Sequence, residues 1–341
     1  MKPVVALTVG DFNGIGPEVA LKGALHPSVR RLCTPLLVGP PAVFEFYARR
    51  SRIAVSIRPL DGTPAKKRAS RGSVELPCVE SSSIVPSSIR PGLVTRLAGA
   101  TAARAVETAV RLVQIGVADA MVTAPVSKRA MHLAGLNFPG QTEMVQRLSG
   151  APRVVMMLVC SALRVGLITI HVPVSQIARL ITPTLLRERI RVIEEALRTD
   201  WGIQRPSLAV LGLNPHAGES GDLGSEEKRL IVPTLRSLQH GGFRLAGPFP
   251  ADAFFARYSP GSYDAVVAMY HDQGLIPLKM LAAGAGVNVS LGLPIVRTSP
   301  DHGTAFDIAG KAKADAASMI EAVRLAVLIA NNRRSARGKR P

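Results

Sequence analysis

The chain has 341 residues, 47% of them apolar and 19% charged. That length is roughly two to three times the common domain size, enough for a sizeable core and two lobes, and the composition excludes a disordered chain or a small cross-linked scaffold. Lys and Arg number 42 against 24 acids, a formal net charge of +18, so nucleic acid, an anionic surface or small anionic substrates are the partner classes to weigh.

Residues 4–9 form a short apolar run that Asp11 interrupts and no cleavage site follows, so they read as a first strand and not as a signal peptide. Next comes Gly10-Asp11-Phe12-Asn13-Gly14-Ile15-Gly16-Pro17-Glu18. Its glycine spacing misses the dinucleotide fingerprint, and Pro17 suits a first helical turn, so a tight structural turn is expected ahead of direct cofactor contact. Strands are expected at 35–39 and 74–79, with 59–91 as a mobile excursion, then a long helix over 97–115 and a strand at 120–123. Further strands are expected at 154–159 and 165–170. Thr182-Pro183 then caps a helix in which Leu185, Leu186, Ile190, Ile193 and Leu197 recur at helical spacing. Strands at 208–212, 265–269 and 287–290 follow, and a helix over 314–330 precedes a basic tail at 333–341. The alternation predicts an α/β fold with a largely parallel sheet.

Cys33, Cys78 and Cys160 match no metal or disulfide spacing, which points to a reduced, cytoplasmic setting. No apolar run reaches the length of a membrane span. The positive charge gathers in residues 49–71, with eight Lys or Arg, and in 333–340, with five. Neither stretch interleaves aromatics or carries a nucleic-acid motif, so both are expected to be exposed periphery, with no specific nucleic-acid partner.

Three histidines share one context: His171, His216 and His271 each stand at or just beyond the carboxyl end of an expected strand. Ligands of open α/β sheets bind at that edge. Three neutral imidazoles suit zinc or another divalent first-row metal and leave a position open for substrate, although no local HExxH spacing joins them and folding has to bring them together. A second cluster runs from Thr123 to Lys128 and from Gly140 through Gln141 and Thr142 to Glu143. It suits an anion held by a helix start and a cation, or else Thr142 and Glu143 serve only as helix-capping residues. A third cluster, Lys279, Asn288 and Arg297, offers two cations and an amide, and the Arg297 fork suits a carboxylate or phosphate.

Taken together, the segments Gly10 to Glu18, Thr123 to Lys128, Gly140 to Glu143, Gly212-Leu213-Asn214-Pro215-His216-Ala217-Gly218-Glu219, Ala268-Met269-Tyr270-His271-Asp272-Gln273-Gly274 and Arg297-Thr298-Ser299-Pro300-Asp301-His302-Gly303-Thr304-Ala305 resemble the 4-hydroxythreonine-4-phosphate dehydrogenase family. The resemblance covers residues 3–332. It implies a two-lobed isocitrate/isopropylmalate dehydrogenase-like fold, with lobes discontinuous in sequence, the active-site cleft between them, and a homodimer whose metal sites draw on both subunits.

The same resemblance assigns His171, His216 and His271 to a divalent metal, zinc first and magnesium or cobalt as alternatives. It assigns Gln141, Thr142, Lys279, Asn288 and Arg297 to a small phosphorylated substrate. Asp301, His302, Gly303, Thr304 and Ala305 look like the adenosine loop of the wider decarboxylating dehydrogenases, for NAD or NADP. The implied reaction is oxidation of 4-phosphohydroxy-L-threonine and decarboxylation of the product, in pyridoxal 5'-phosphate biosynthesis, with Lys128, Asp272 and Asp252 as candidate catalytic groups. The family usually has His where this chain has Gln141, and Phe12-Asn13 replaces a Pro-Ala pair, a change expected to be local packing. Alternatives are a dehydrogenase of 4-phospho-threonate or 4-phospho-erythronate and, from another class, a phosphate acyltransferase-like enzyme.

Overall fold

A strand buried on both faces has to be apolar along its whole length, and Val4–Thr8 meets that demand with every residue after the first buried. The computed structural model describes residues 2–60 and 74–338. In chain order the strands are β1 Val4–Thr8, β2 Thr34–Val38, β3 Val55–Pro59, β4 Val74–Val79, β5 Ala120–Val122 and β6 Val155–Val159. They continue with β7 Arg164–Leu167, β8 Ser207–Leu211, β9 Arg244–Phe249, β10 Ala265–Ala268, β11 Val287–Leu291 and β12 Arg297–Pro300. The chain divides into unit 1, Met1–Pro152 with Leu293–Asn331, and unit 2, Arg153–Gly292 with Asn332–Pro341.

In unit 1 the strands lie in the order β3-β4-β2-β1-β5-β12, and every pairing is parallel. Parallel neighbours need crossover connections. The helix Arg96–Gln114 is one of them, started by the Thr95 hydroxyl, which accepts the Ala98 N–H at 3.2 Å. In unit 2 the order is β11-β6-β7-β10-β8-β9. Here β6 is antiparallel to both β11 and β7, while β7, β10, β8 and β9 run parallel. Leu158, Val165, Leu167, Ala209, Val266 and Leu275 form the centre of its core. The helix Pro183–Thr199 starts as expected, with the Thr182 hydroxyl accepting the Leu185 N–H at 3.1 Å.

The α/β class and the largely parallel strands are as the sequence implies, while several local expectations are corrected. Of the excursion expected at 59–91, residues 61–73 lie outside the described residues. Residues 74–79 are β4, paired on both sides. In the described part of the basic stretch 49–71 the cations Arg49, Arg50, Arg52 and Arg58 are exposed as expected, although the chain there is ordered as β3, with Ile57 buried and Arg58 paired with Glu75 across to β4. The last helix begins at Ala317 and runs to Gly338, so the tail from 333 is helical as far as it is described. Arg333 is not exposed periphery. It donates Nε–H to one oxygen of the buried Asp200 at 2.6 Å and an Nη2 proton to the other at 2.9 Å, a fork that matches a carboxylate.

The first loop of unit 1 is the tight turn expected. Gly10 has φ +68°, and a Cβ there would lie 2.5 Å from the Pro125 carbonyl oxygen. The Tyr47 hydroxyl is within hydrogen-bond distance of the Phe12 and Gly14 carbonyls, at 2.8 and 3.0 Å. Asn13, where the family has a small residue, donates to the Leu93 carbonyl and the Thr95 hydroxyl and accepts the Arg90 N–H. Asp11 beside it is fully buried. One carboxyl oxygen accepts the Asn13 N–H at 2.9 Å, and the other has no hydrogen-bond partner among the described residues.

Burial pushes the Asp11 carboxyl up to about 6, against the opposing pull of the Asn13 and Gly14 backbone N–H groups. A carboxyl raised in the folded state favours folding below its unfolded value of 3.8, and that contribution is lost as pH rises through about 6. The shift corresponds to about 3 kcal/mol. Asp11→Asn, which never ionises, should therefore gain up to about 3 kcal/mol on wild type between pH 4 and pH 7.5 in urea unfolding. A stability difference that is the same at both pH values would contradict this account of the buried carboxyl.

Candidate active site

In unit 1, chemistry collects where β5 ends. Thr123 follows β5, the helix Gln141–Ser149 begins nearby without a side-chain cap, and Arg297 opens β12 in register with Met121. Arg297 is only 2% exposed. Its Nη2 donates to the Thr123 hydroxyl at 2.7 Å and to Oε1 of Gln141 at 2.8 Å, and its Nε donates to Thr123 at 3.1 Å. The Thr142 hydroxyl lies 3.5 Å from Nη1. The Thr123 hydroxyl donates in turn to the same Gln141 oxygen at 2.7 Å, and the Gln141 Nε2 donates to the Ala124 carbonyl at 3.1 Å.

Burial lowers the Arg297 guanidinium to about 10, with Glu143 opposing the shift. The group is still a cation at neutral pH. A buried cation at the N-terminus of a helix, where backbone N–H groups lack intrahelical partners, has the chemistry to receive an anion. Gln141 thus has a duty the sequence did not reveal: its oxygen holds Arg297 and Thr123 together.

The loop 301–305 belongs to the same unit. The Thr304 carbonyl accepts the Ile15 N–H at 2.9 Å, and a Cβ on Gly14 would fall 2.7 Å from that carbonyl oxygen. The expected nucleotide loop therefore packs on the glycine-rich turn. Within it, Nε2 of His302 is buried without a hydrogen-bond partner among the described residues, Gly303 has open space where a Cβ would be, and Ala305 has φ +40°. The open backbone beside an unsatisfied ring nitrogen suits a nucleotide. Lys128 is exposed at the start of the helix Lys128–Leu133, which the Ser127 hydroxyl caps.

In unit 2, His171 and His271 meet. Their ring centroids are 5.8 Å apart, and both line a pocket of 210 Å³ with Val174, Ile177, Tyr270 and Asp272. His171 follows β7 and has φ +48°, a conformation a residue with a Cβ rarely adopts. His271 opens the helix His271–Ala282, and its Nδ1 lies 2.6 Å from Oδ1 of Asp272. That contact engages Nδ1 and leaves Nε2 as the nitrogen for a ligand, the usual arrangement of a carboxylate behind a ligating histidine. The pair fits a divalent first-row metal by donor chemistry.

The third histidine is not with them. His216 lies in the turn after β8 and does not line the pocket, and among the described residues no three His, Cys, Asp or Glu side chains stand close enough to hold a metal. The expected trio is thus not gathered within one chain. Asp272 is committed to His271 and Asp252 is exposed on the helix Ala251–Ala256. Lys279 is exposed on the helix His271–Ala282, while Asn288 on β11 has a buried side-chain oxygen with no hydrogen-bond partner among the described residues, a group that awaits a donor. Among the described residues no helix is long and apolar enough to cross a membrane.

Comparison with known proteins extends this geometry. Residues 31–326 match the family model for the pyridoxal phosphate biosynthetic protein PdxA. A D-threonate 4-phosphate dehydrogenase of Cupriavidus necator is 42% identical over 332 residues, covering 97% of this chain and 98% of the relative. A 4-hydroxythreonine-4-phosphate dehydrogenase of Trichlorobacter lovleyi is 42% identical over 338 residues, covering 97% and 99%. The crystal structure of a 4-hydroxythreonine-4-phosphate dehydrogenase from Klebsiella pneumoniae superposes with a TM-score of 0.84 at 38% identity, covering 97% of this chain and 98% of that one. With the buried arginine, the strand-end histidines and near-complete coverage by these relatives in agreement, the chain belongs to the PdxA family of dehydrogenases.

Proposed function

We propose that this dehydrogenase oxidises 4-phosphohydroxy-L-threonine at C3, with NAD or NADP as hydride acceptor, on the route to pyridoxal 5'-phosphate. The observation that carries the reading is the buried Arg297 with Thr123, Gln141 and Thr142 at an uncapped helix start. Such a receptor suits a phosphate dianion better than a carboxylate, since it combines a cation, hydroxyls and backbone N–H groups. Lys279 meets the substrate carboxylate, and the unsatisfied oxygen of Asn288 accepts from its ammonium or hydroxyl group.

His171 and His271 hold a divalent metal, zinc first and magnesium or cobalt as alternatives, which supplies Lewis-acid stabilisation of a substrate oxygen. The third ligand comes with the second subunit of a homodimer. The apolar side chains exposed on the two helices that carry pocket residues support this: Val174 and Met280 are each 81% exposed and Ile276 is 61% exposed, candidates for burial at a subunit interface. The residues Asp301 to Ala305 hold the adenosine end of the nucleotide. Proton transfer falls to Lys128, with Asp252 as the alternative, because Asp272 already orients His271. Oxidation gives 2-amino-3-oxo-4-phosphooxybutanoate, a β-keto acid that loses CO₂ to give 3-amino-2-oxopropyl phosphate.

D-threonate 4-phosphate is the second reading. A specific observation favours weighing it: the Cupriavidus necator relative carries that name, and Gln141 stands where the wider family has a histidine. The deciding assay measures NADH and NADPH formation from both phosphorylated acids, with and without a chelator. Turnover of 4-phosphohydroxy-L-threonine that the chelator abolishes supports the proposal. Faster turnover of D-threonate 4-phosphate moves the assignment to the second substrate, and a fully active monomer in sedimentation at assay concentration contradicts the shared metal site.

The Gln141 geometry adds a sharper expectation. Gln141→Leu removes the oxygen that holds Arg297 and Thr123, so the receptor loosens while the reacting carbon is untouched. KM for the phosphorylated substrate should rise about tenfold with kcat within about twofold, the pattern of binding lost equally from ground and transition states. An unchanged KM would show that Gln141 does not support the receptor.

A further inference from the structure

His216 sits in a run of conformations that L-residues avoid. From His216 to Ser220 every residue has positive φ, in order 51°, 52°, 83°, 41° and 61°, and four of the five carry a Cβ, which costs about 1–2 kcal/mol per residue in this region. Such a turn persists only where its surroundings over-determine it. The surroundings here converge on one side chain, Glu227, which is 4% exposed.

One oxygen of the Glu227 carboxylate accepts the backbone N–H groups of Leu213 and Asn214, both at 2.7 Å. The other accepts the Asn214 side-chain amide at 2.8 Å, and that amide also donates to Glu226 at 2.9 Å. The turn itself is moulded to the same group. A Cβ on Gly218 would lie 2.7 Å from the Glu227 carboxylate, and one on Gly212 would lie 3.2 Å from it. Glu227 opens a single π-helical turn, Glu227–Ile231, ahead of the helix Val232–His240. A wider turn of this kind re-aims one side chain relative to a regular helix. Nothing in the proposed reaction uses Glu227, and a carboxylate buried with three donors is a costly group to keep for packing alone.

We infer that Glu227 is a positioning residue for His216: its carboxylate ties the start of the loop to the turn that presents the imidazole, and so fixes where the third metal ligand stands. The inference rests on the reading of His216 as a metal ligand. Its energetic logic is that of a support behind a ligand, whose loss leaves the donor in place but spreads its orientations, so that metal affinity falls without removal of any coordinating atom.

The test compares full-length wild type with Glu227→Gln, His216→Ala and Arg333→Ala. The last breaks the fork to Asp200 elsewhere in unit 2 and controls for lost stability. Zn²⁺ affinity is read by competition with a chromophoric chelator, ligand geometry by the visible spectrum with Co²⁺ bound, and loop order by amide hydrogen exchange over residues 213–224. Glu227→Gln keeps one acceptor but sets an amide donor against that of Asn214, so exchange in the loop should quicken at least tenfold. Zn²⁺ affinity should drop by roughly 10–100-fold, and the Co²⁺ spectrum should change. Arg333→Ala should melt earlier and keep both affinity and spectrum. Unaltered affinity and spectrum in Glu227→Gln, with or without faster exchange, would overturn the inference. Equal Zn²⁺ affinity in wild type and His216→Ala would overturn it for a separate reason, because the metal reading itself would then have failed.

Discussion

A guanidinium buried to 2% exposure has to be surrounded by acceptors, and that demand organises the functional end of unit 1. Arg297 reaches Thr123 at the end of β5 and Gln141 at the start of the next long helix, so one side chain ties two chain segments to β12. Thr123 and Gln141 bond each other as well. The cluster is linked by its own hydrogen bonds and keeps a positive charge in a low-dielectric place, where attraction for an anion is stronger than at the surface. On the proposed reading, a phosphorylated substrate meets donors already in position, and little ordering cost is left to bear on binding.

Unit 2 meets a different constraint. The chain has to turn sharply at strand ends and still present imidazoles, and it does so with backbone conformations that cost energy. His171 and His216 both have positive φ, as does each of the four residues after His216. Strain of this kind is tolerated where neighbours hold it, and Glu227 and Asp272 are the carboxylates behind the histidine segments. The two units therefore prepare their chemistry by different means. Unit 1 desolvates a cation against hydroxyl and amide oxygens with Glu143 nearby, and unit 2 holds strained histidine segments beside buried or adjacent acids.

Much of this was legible in the chain. The apolar runs that became β1, β2, β6, β8 and β10 are continuous because both faces are covered, and Thr95 and Thr182 sit before their helices in the places capping demands. The strand-end position of the three histidines was readable from the runs that precede them. Other features left no local trace. β12 is Arg-Thr-Ser-Pro and has no apolar pattern, and β3 has only the short alternation Val55-Ser56-Ile57-Arg58 before a proline, so both are strands because a neighbour pairs with them. Arg333 reads as part of a basic tail, and only the buried Asp200, 133 residues earlier, makes it structural. The roles of Gln141 and Glu227 depend on contacts across the fold or across an irregular loop, and no periodicity encodes those. The left-handed turn was hinted at by one glycine, Gly218, among four residues that ordinarily avoid it.

The account stands on the buried arginine as the receptor for a phosphate, and a substrate-by-enzyme cycle tests it most directly. Specificity constants kcat/KM would be measured for wild type and Arg297→Met, each with the phosphorylated hydroxy acid and with the same acid lacking its phosphate. The account predicts that wild type discriminates against the dephosphorylated acid by about a thousandfold or more, and that Arg297→Met loses most of that discrimination, since the charge-assisted contact is what separates the two substrates. Equal discrimination by both proteins would contradict it, and the phosphate would then have to be recognised somewhere other than beside Thr123, Gln141 and Thr142.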